Sequence, residues 1–267
     1  MLAQRLVVAA VGLPLLAVLL FLPEQLFAAV ATLVIAAGTA EFILTTPHEP
    51  SRTSAVAGGV MAALLAATLR TVEAAPEWLP LALIAVTVLA LVLMLWSGPA
   101  EATPEGAWWL GAVLYVGALS AHWLLLRASF GTQWVVVMLA VTFATDTGAY
   151  ATGKLIGRHI LWRAISPGKT WEGFAGGMLA GGLMAVALPW SLGISPDWVW
   201  LAAMAVVLPF AGIVGDFLES ALKRRIGVKD MSNVLPGHGG LLDRLDSLLL
   251  VGPCLYWLLT WSTRIPQ

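Results

Sequence analysis

Residues 79–96 read LPLALIAVTVLALVLMLW, an apolar run that contains no charged side chain. A helix needs about 20 predominantly apolar residues to cross the hydrocarbon core of a bilayer, and this run therefore predicts a transmembrane helix. The rest of the sequence has the same character, since 60% of its 267 residues are hydrophobic and only 11% are charged, whereas about 25% are charged in ordinary soluble domains. These values exclude a soluble globular protein and predict an all-α polytopic membrane protein.

Eight more apolar runs of similar length predict about nine transmembrane helices in total. They are bounded by charged residues, by proline and glycine, and by many of the 13 tryptophans, which favour the two membrane interfaces. The first run follows Arg5 like the core of a signal peptide, but it is longer than such a core and a second run follows at once, so we interpret it as an uncleaved span. The predicted spans are residues 6–22, 26–45, 54–73, 79–96, 108–126, 133–151, 173–192, 198–217 and 243–262.

Lysine and arginine are distributed unevenly between the two sides of these predicted spans. If the spans alternate in direction, eleven of the 14 basic residues lie on the side of the N-terminus and three lie opposite. By the positive-inside rule the first side is cytoplasmic, which places the C-terminus outside, and a bacterial-type inner membrane is the expected location. The eleven are Arg5, Arg52, Lys154, Arg158, Arg163, Lys169, Lys223, Arg224, Arg225, Lys229 and Arg244, and the three are Arg70, Arg127 and Arg264.

The charge balance and the cysteine count exclude further kinds of function and of site. The net charge of −1 gives no excess of positive charge for nucleic-acid binding, and the single cysteine, Cys254, allows neither a disulfide within the chain nor a cysteine-based metal site. No fixed-period repeat or low-complexity linker divides the chain, so residues 1–267 are predicted to form one membrane domain. Within it, residues 1–132 are expected to be mainly scaffold and residues 133–262 to carry the catalytic spans and loops, because polar residues become denser there.

A carboxylate, Asp146, stands within or at the end of the sixth predicted span. An ionisable residue at membrane depth is costly and normally faces a charged partner or an aqueous cavity. Asp146 is therefore a candidate for a functional role. The alternative is a structural role, in which Asp146 pairs locally with Lys154 or Arg158 near the membrane interface.

A second polar stretch, Ser166-Pro167-Gly168-Lys169-Thr170, opens the seventh predicted span. Small hydroxyls, a lysine and backbone amides at a helix N-terminus suit an anion such as phosphate. A turn followed by an ordinary helix cap would use the same residues, so this stretch alone leaves both interpretations open.

The densest group of charges joins the eighth and ninth predicted spans. On a continuous helix Asp216, Glu219 and Lys223 follow i, i+3, i+7 spacing and share one face. Asp243 and Asp246 share a face at the start of the ninth span. Two carboxylate pairs that meet across a glycine-rich loop would suit Mg²⁺, which binds a few carboxylates together with water and substrate phosphates. The alternative is a solvated loop held by surface ion pairs.

The residues of this last group follow a pattern with fixed spacing, and the pattern resembles the signature of the phosphatidate cytidylyltransferases, also called CDP-diacylglycerol synthases. Residues 146–154 and 166–177 resemble other polar blocks of that family, so the likeness covers about the last 120 residues. One departure is Gly168, where the family's pattern has a second lysine. The matching positions are Ser220, Leu222, Lys223, Arg224, Lys229, Asp230, Ser232, Leu235, Pro236, His238, Gly239, Gly240, Leu241, Asp243, Arg244, Leu245 and Asp246.

The resemblance implies an enzyme that transfers the cytidylyl group of CTP to phosphatidic acid, which gives CDP-diacylglycerol and pyrophosphate in phospholipid biosynthesis. The implied partners are these two substrates, the lipid bilayer and a second copy of the chain in a homodimer, without nucleic acid. Mg²⁺ is the expected cofactor, in a single or a paired cation site on the cytoplasmic side, with Asp216, Asp243 and Asp246 as its ligands. The other expected catalytic residues are Lys223, Arg224 and Arg244, and the expected substrate-binding residues are Asp146, Ser166, Lys169, Thr170, Lys229 and His238.

Two other functions have sequence features in their favour. A secondary transporter also has many spans with intramembrane acids, here Glu41 and Asp146, but the charges cluster at one face and no inverted repeat is visible. A CTP-dependent lipid kinase would share the membrane and the nucleotide, but it would transfer the γ-phosphoryl group and release CDP. The role of Glu41 is open between an approach to the polar pocket and a pair with Arg52.

Overall fold

In the computed structural model, helices make up most of the part of the chain that the structure describes, which comprises residues 12, 14–71, 78–96, 99–194, 197–235, 237 and 239–264. Residues 14–21 are helical, and residues Val113–Ala118 form a π-helix. The α-helices that follow residues 14–21 are α1 Glu24–Thr45, α2 Arg52–Thr71, α3 Trp78–Trp96, α4 Glu105–Ala112, α5 Leu119–Phe130, α6 Thr132–Ile156, α7 Trp171–Ser191, α8 Trp198–Ile226 and α9 Asp246–Ser262.

Six of the described helical segments are long and apolar enough to cross a membrane: α1, α2, the continuous segment of α4 and α5, α6, α7 and α8. The predicted fourth and ninth spans correspond to α3 and α9. The first predicted span falls largely outside the described residues. The chain is therefore a helical, polytopic integral membrane protein as predicted, whereas the number of nine crossings stays a prediction.

One small element departs from the all-helical expectation. Strands β1 (Ile160–Trp162) and β2 (Ser166–Thr170) form an antiparallel hairpin between α6 and α7. Isoleucine and tryptophan favour extended backbone, and Pro167 lacks the N–H group that a helix would need. The polar stretch before α7 is therefore a strand, and it leads directly into the first turn of that helix.

The chain forms two compact units. The first comprises Met1–Ala128 and Ala221–Leu245, and the second comprises Ser129–Ser220 and Asp246–Gln267. The division after Ala128 lies near the predicted boundary at residue 132, but Ala221–Leu245, expected with the catalytic half, groups with the first half of the chain. The assignment of all residues to one membrane domain stays a prediction.

In the first unit, α1 packs closely against α2. A Cβ atom on Gly59 would lie 2.5 Å from the carbonyl oxygen of Ala36, so this approach requires glycine. On α1 the ring of Phe42 contacts the rings of Trp108 and Tyr115, with centroids 6.3 Å apart in each pair. These apolar contacts fix α1, which carries the buried acid Glu41 one residue before Phe42.

In the second unit, α6 and α7 pack backbone to backbone through glycines. A Cβ atom on Gly148 would lie 2.5 Å from the Cβ atom of Ala180 and 2.7 Å from the carbonyl oxygen of Gly176. Towards the hairpin, a Cβ atom on Gly173 would lie 2.9 Å from the carbonyl oxygen of Ala149. The two helices are therefore held at minimal separation up to the hairpin that joins them.

Replacement of Gly148 by alanine should destabilise the protein, because the added methyl group would overlap the backbone of α7 and force the helices apart. Overpacking of this kind costs about 1–3 kcal/mol, and we expect the melting temperature in detergent to fall by several degrees. The control is Gly212→Ala on α8, where the nearest atom to the new Cβ would be a methyl carbon of Val251 at 3.4 Å. Equal melting temperatures of the two variants would contradict this packing.

Candidate functional site

The second unit contains a cavity of about 380 Å³ lined by α6, the hairpin, α7 and α8. One face of α6 contributes Asp146, Tyr150 and Gly153, which follow i, i+4, i+7 spacing. The hairpin contributes Lys169, and α8 contributes Asp216. The fold thus brings predicted site residues from three separate stretches of sequence to one cavity, and it gives Asp146 a position on the cavity wall.

Lys169 and Asp216 form an ion pair in this cavity. The Lys169 Nζ atom lies 2.7 Å from Oδ2 of Asp216 and 4.1 Å from the ring centroid of Phe217. The hydroxyl of Ser220 donates a hydrogen bond to Oδ1 of Asp216 at 3.4 Å. Because an ammonium group binds phosphate as well as carboxylate, an anionic ligand that entered the cavity would compete with Asp216 for Lys169.

Thr170 shows that phosphate binding and helix capping are not exclusive alternatives in this stretch. The Thr170 hydroxyl accepts a hydrogen bond from the amide of Gly173 at 3.1 Å and caps α7. Thr170 also lines the cavity beside Lys169. The Thr170 cap therefore fixes the end of β2 from which Lys169 reaches Asp216. Ser166, at the other end of β2, is partly exposed.

The carboxylate of Asp246 interacts electrostatically with two other carboxylates of the second unit. Asp246 lies at the start of α9, and its two partners are Asp216 and Asp146. The amide of Ser247 donates a hydrogen bond to Oδ1 of Asp246 at 2.7 Å. Oxygen donors of this kind suit a hard cation, and a bound cation relieves the repulsion between like charges.

The donor set fits a cation that takes part of its coordination from a substrate. Among the described residues, no group of three or more His, Cys, Asp or Glu side chains is already arranged around a metal position. Mg²⁺ binds through one or two carboxylates together with water and substrate phosphates, so a complete protein cage is not required. Asp216 and Asp246 belong to the second unit and Asp243 to the first, and their predicted joint ligation of Mg²⁺ stays a prediction.

In the first unit, both oxygens of Asp243 accept hydrogen bonds. Lys223 Nζ lies 2.6 Å from Oδ1, and the amides of Met231 and Gly240 donate to Oδ2 at 2.9 Å and 2.7 Å. Burial acts to raise the pKa of Asp243, but the Lys223 and Gly240 hydrogen bonds, the charge of Lys223 and the Met231 hydrogen bond together hold this pKa below its ordinary value of 3.8. Asp243, in the short turn before α9, therefore organises the loop as an ionised carboxylate.

Glu41 holds the same loop from α1. Its Oε1 atom accepts a hydrogen bond from the amide of Leu241 at 3.0 Å, and its Oε2 atom accepts one from the amide of Leu242 at 2.7 Å. The hydroxyl of Ser232 also donates to Oε1. A Cβ atom on Gly240 would lie 2.6 Å from Oε1, so a side chain at this position would displace the Glu41 carboxylate. Glu41 is not among the residues that line the cavity of the second unit. Its observed role, as acceptor of hydrogen bonds from loop amides, is one that the sequence did not predict.

Arg225 is a residue whose role the sequence did not predict beyond membrane orientation. Its guanidinium group donates hydrogen bonds to the carbonyl oxygen of Leu95 at 3.2 Å and to the hydroxyl of Thr103 at 3.0 Å. The same group lies 6.0 Å from the ring centroid of Trp108. Arg225 therefore anchors the last turn of α8 to the end of α3, and the only hint in the sequence was the run of three basic residues.

The other predicted basic residues are accessible to solvent. Arg224, Lys229 and Arg244 are exposed, and Arg224 donates a hydrogen bond to the carbonyl oxygen of Val228 at 3.5 Å. His238 lies outside the described residues. The described loop therefore combines a buried, hydrogen-bonded frame with exposed cations that are accessible to an anionic ligand.

Known proteins match most of this chain. Residues 3–262 match the model of the cytidylyltransferase family. The chain is 36% identical to a phosphatidate cytidylyltransferase of Staphylococcus epidermidis over 205 residues, which are 75% of this chain and 78% of that protein. It is 38% identical to one of Staphylococcus aureus over 181 residues, 67% and 69% of the two chains. With one of Bacillus subtilis it shares 41% identity over 150 residues, and the match spans little more than half of each chain, 55% and 56%.

Replacement of Glu41 by glutamine should loosen the loop without unfolding the protein. A hydrogen bond to a charged acceptor contributes about 1.5–3 kcal/mol, and a neutral one about 0.5–1.5 kcal/mol. We therefore expect hydrogen exchange in a peptide that covers Leu241 and Leu242 to accelerate by about tenfold. Glu105→Gln, at an exposed position at the start of α4, is the matched control. Unchanged exchange in Glu41→Gln would show that the carboxylate does not hold the loop.

Proposed function

The chain belongs to the cytidylyltransferase family, and we propose that it transfers the cytidylyl group of CTP to phosphatidic acid, which yields CDP-diacylglycerol and pyrophosphate for phospholipid biosynthesis. The observation that carries this proposal is the match, over two thirds or more of both chains, to relatives whose names state this reaction. The cavity with its paired lysine and carboxylates supports it, because both substrates are polyanions.

The proposed reaction requires no nucleophilic side chain. A phosphate oxygen of phosphatidic acid, already ionised near neutral pH, attacks the α-phosphorus of CTP. A new phosphorus–oxygen bond forms as the bond to the β-phosphate breaks, and pyrophosphate carries away the electron pair. The protein has to hold two polyanions together and stabilise the negative charge that develops on the leaving group.

Lys169 is the first residue that we assign to this task. In the structure its ammonium group is paired with Asp216. A phosphate oxygen in the cavity would replace the carboxylate as its partner, and this exchange would free Asp216. Lys154 lines the same cavity and supplies a second positive charge. Ser166 and Thr170 are assigned to the same phosphate region from the two ends of β2.

Asp216 and Asp146, which line the cavity, would hold Mg²⁺ together with Asp246. The ion, when bound, would supply charge neutralisation to the phosphate oxygens. We assign Asp216 the central place, because it contacts Lys169 directly and interacts electrostatically with Asp246. Asp146 completes the acidic wall from α6. A second cation would share the same carboxylates.

For the glycine-rich loop of the first unit, we propose that some residues hold the loop in its conformation and that other residues bind the substrates. Asp243 and Lys223 hold the loop in shape, since their charged groups are 2.6 Å apart, and Asp243 remains the third candidate ligand of Mg²⁺. Arg224, Lys229 and Arg244 would bind substrate phosphates with their exposed charges. His238 has the same proposed role.

Replacement of Asp216 by asparagine should abolish cytidylyl transfer in a folded protein. Asparagine preserves the shape but removes the charge that a hard cation and Lys169 both need, and the loss of one preorganised electrostatic partner costs about 10²- to 10³-fold in rate. The measurement is Mg²⁺-dependent formation of CDP-diacylglycerol by purified variants that elute as a single species. Asp197→Asn, at the start of α8 away from the cavity lining, is the control.

The products of the same assay decide between cytidylyl transfer and phosphoryl transfer. CTP labelled at the α-phosphate should pass its label to the lipid, and pyrophosphate should form in equal amount. Label that stays in CDP, with a phosphorylated lipid as the other product, would contradict the proposed reaction.

For the Asp216→Asn variant, retention of more than about a tenth of the wild-type rate, in place of the expected loss, would show that Asp216 does not belong to the cation site.

We also propose that the polar loops face the cytoplasm, where CTP is available, and that two chains form a homodimer. The uneven distribution of lysine and arginine supports this orientation. With nine crossings, a reporter that is active only outside the inner membrane should be active when it is fused after Gln267. Activity of a cytoplasmic reporter at the same position would show that the number of crossings is even.

A further inference from the structure

The two sides of strand β1 differ in their surroundings. Leu161, the middle residue, lines the cavity. Its neighbours Ile160 and Trp162 are exposed, and the Trp162 side chain is 59% exposed. Because successive side chains of a strand point to opposite faces, β1 has one face on the cavity and one face on the outside. The hairpin is therefore a thin wall of the cavity.

The outside of this wall is both apolar and basic. Leu155 and Ile156, the last residues of α6, are 81% and 61% exposed. Arg158 and Arg163, which flank β1 on either side, are exposed as well. Exposed aliphatic and tryptophan side chains beside arginines are the combination that favours the headgroup region of an anionic bilayer.

The helices on both sides of the hairpin fix its height relative to a membrane. Both α6 and α7 are long and apolar enough to cross a bilayer, and they pack closely along their glycines. A short connection between two adjacent spans lies at a bilayer surface. The carboxylate of Glu172, in the first turn of α7, accepts hydrogen bonds from the amides of Arg158 and His159 at 3.1 Å and 3.3 Å. The chain between α6 and β1 therefore leaves α6 in a fixed direction.

We propose that the outer face of the β1–β2 hairpin docks on the headgroup region of an anionic lipid bilayer and that lipid substrate enters the cavity past this hairpin. Arg158 and Arg163 would concentrate anionic headgroups at the wall, and Trp162 would anchor the strand between headgroups and acyl chains. Lys169 and Thr170 lie at the end of β2 on the cavity lining. A phosphate headgroup that passes the hairpin therefore reaches Lys169. The entry step rests on the proposed lipid substrate, whereas the docking step does not.

Docking can be measured without turnover. A fluorophore is attached to Trp162→Cys in a Cys254→Ser background, and the full-length protein is placed in nanodiscs of phosphatidylcholine and phosphatidylglycerol. Nitroxide lipids labelled at the headgroup should quench the fluorophore at least twofold more than nitroxides near the chain ends. No quenching by either lipid, or quenching by the deep label alone, would overturn docking at the headgroup level.

Lipid entry is measured as the dependence of rate on the mole fraction of phosphatidic acid. Each basic residue near an anionic surface strengthens the attraction by roughly fivefold. The double variant Arg158→Ser/Arg163→Ser should therefore need about 25-fold more phosphatidic acid for half-maximal rate, since it lacks two such residues. Its rate at saturating lipid and its dependence on CTP should stay within about twofold of wild type, because neither arginine lines the cavity.

A second test compares two tryptophan variants, in which Trp162→Ala is the test and Trp198→Ala is the matched control. Trp198 begins α8, next to the turn at the opposite end of α7 from the hairpin, and is 76% exposed. Only the Trp162 variant should raise the requirement for phosphatidic acid. Equal effects of the two substitutions, or a wild-type lipid dependence in the double arginine variant, would overturn entry past the hairpin. If the wild type formed no CDP-diacylglycerol, the proposed function and the entry step would fall, while the quenching result would still decide docking.

Discussion

A buried carboxylate in an apolar protein has to be met by hydrogen-bond donors or by a cation, since its desolvation is otherwise too costly. In the first unit this requirement determines the shape of the glycine-rich loop. Glu41 and Asp243 together accept hydrogen bonds from four loop amides, those of Met231, Gly240, Leu241 and Leu242. A loop with so many glycines has little side-chain packing of its own. Its conformation therefore depends on two acids, one of which comes from a helix about 200 residues earlier in the chain.

Each unit also contains a lysine paired with an aspartate at short distance. Lys223 lies 2.6 Å from Asp243 in the first unit, and Lys169 lies 2.7 Å from Asp216 in the second. The surroundings differ, because Asp243 also accepts two backbone hydrogen bonds whereas Asp216 faces a cavity. The first pair is built into the hydrogen-bonded frame of a loop. The second lines a cavity, where, under the proposed function, a substrate phosphate would replace the carboxylate as the partner of Lys169.

The apolar runs were sufficient to predict the helices, because burial in lipid demands length and hydrophobicity above all else. They could not predict the partners of Glu41, since a single acid in an apolar helix indicates that a partner exists but not where in the sequence it lies. The sequence also did not show that the two ends of its densest charged segment, around Asp216 and around Asp243, have different surroundings. The spacing in the sequence predicts the same role for Asp216 and Asp243. In the structure Asp216 lines a cavity, whereas Asp243 accepts hydrogen bonds from loop amides. Such differences arise from tertiary contacts, which spacing along one helix does not encode.

The family resemblance implies a lysine at position 168, where this chain has Gly168. A Cβ atom on Gly168 would have no atom within 4 Å, so nothing in the described structure excludes a longer side chain there. Gly168 lines the same cavity as Lys154 and Lys169, and a lysine at 168 would be a third cation near the substrate phosphates. Under the proposed function, its absence would leave more of the phosphate charge to a bound cation, because Lys169 is itself paired with Asp216. Under the proposed function, Asp146, Asp216 and Asp246 would be the ligands of that cation, and their oxygen atoms would thereby supply what the missing lysine does not.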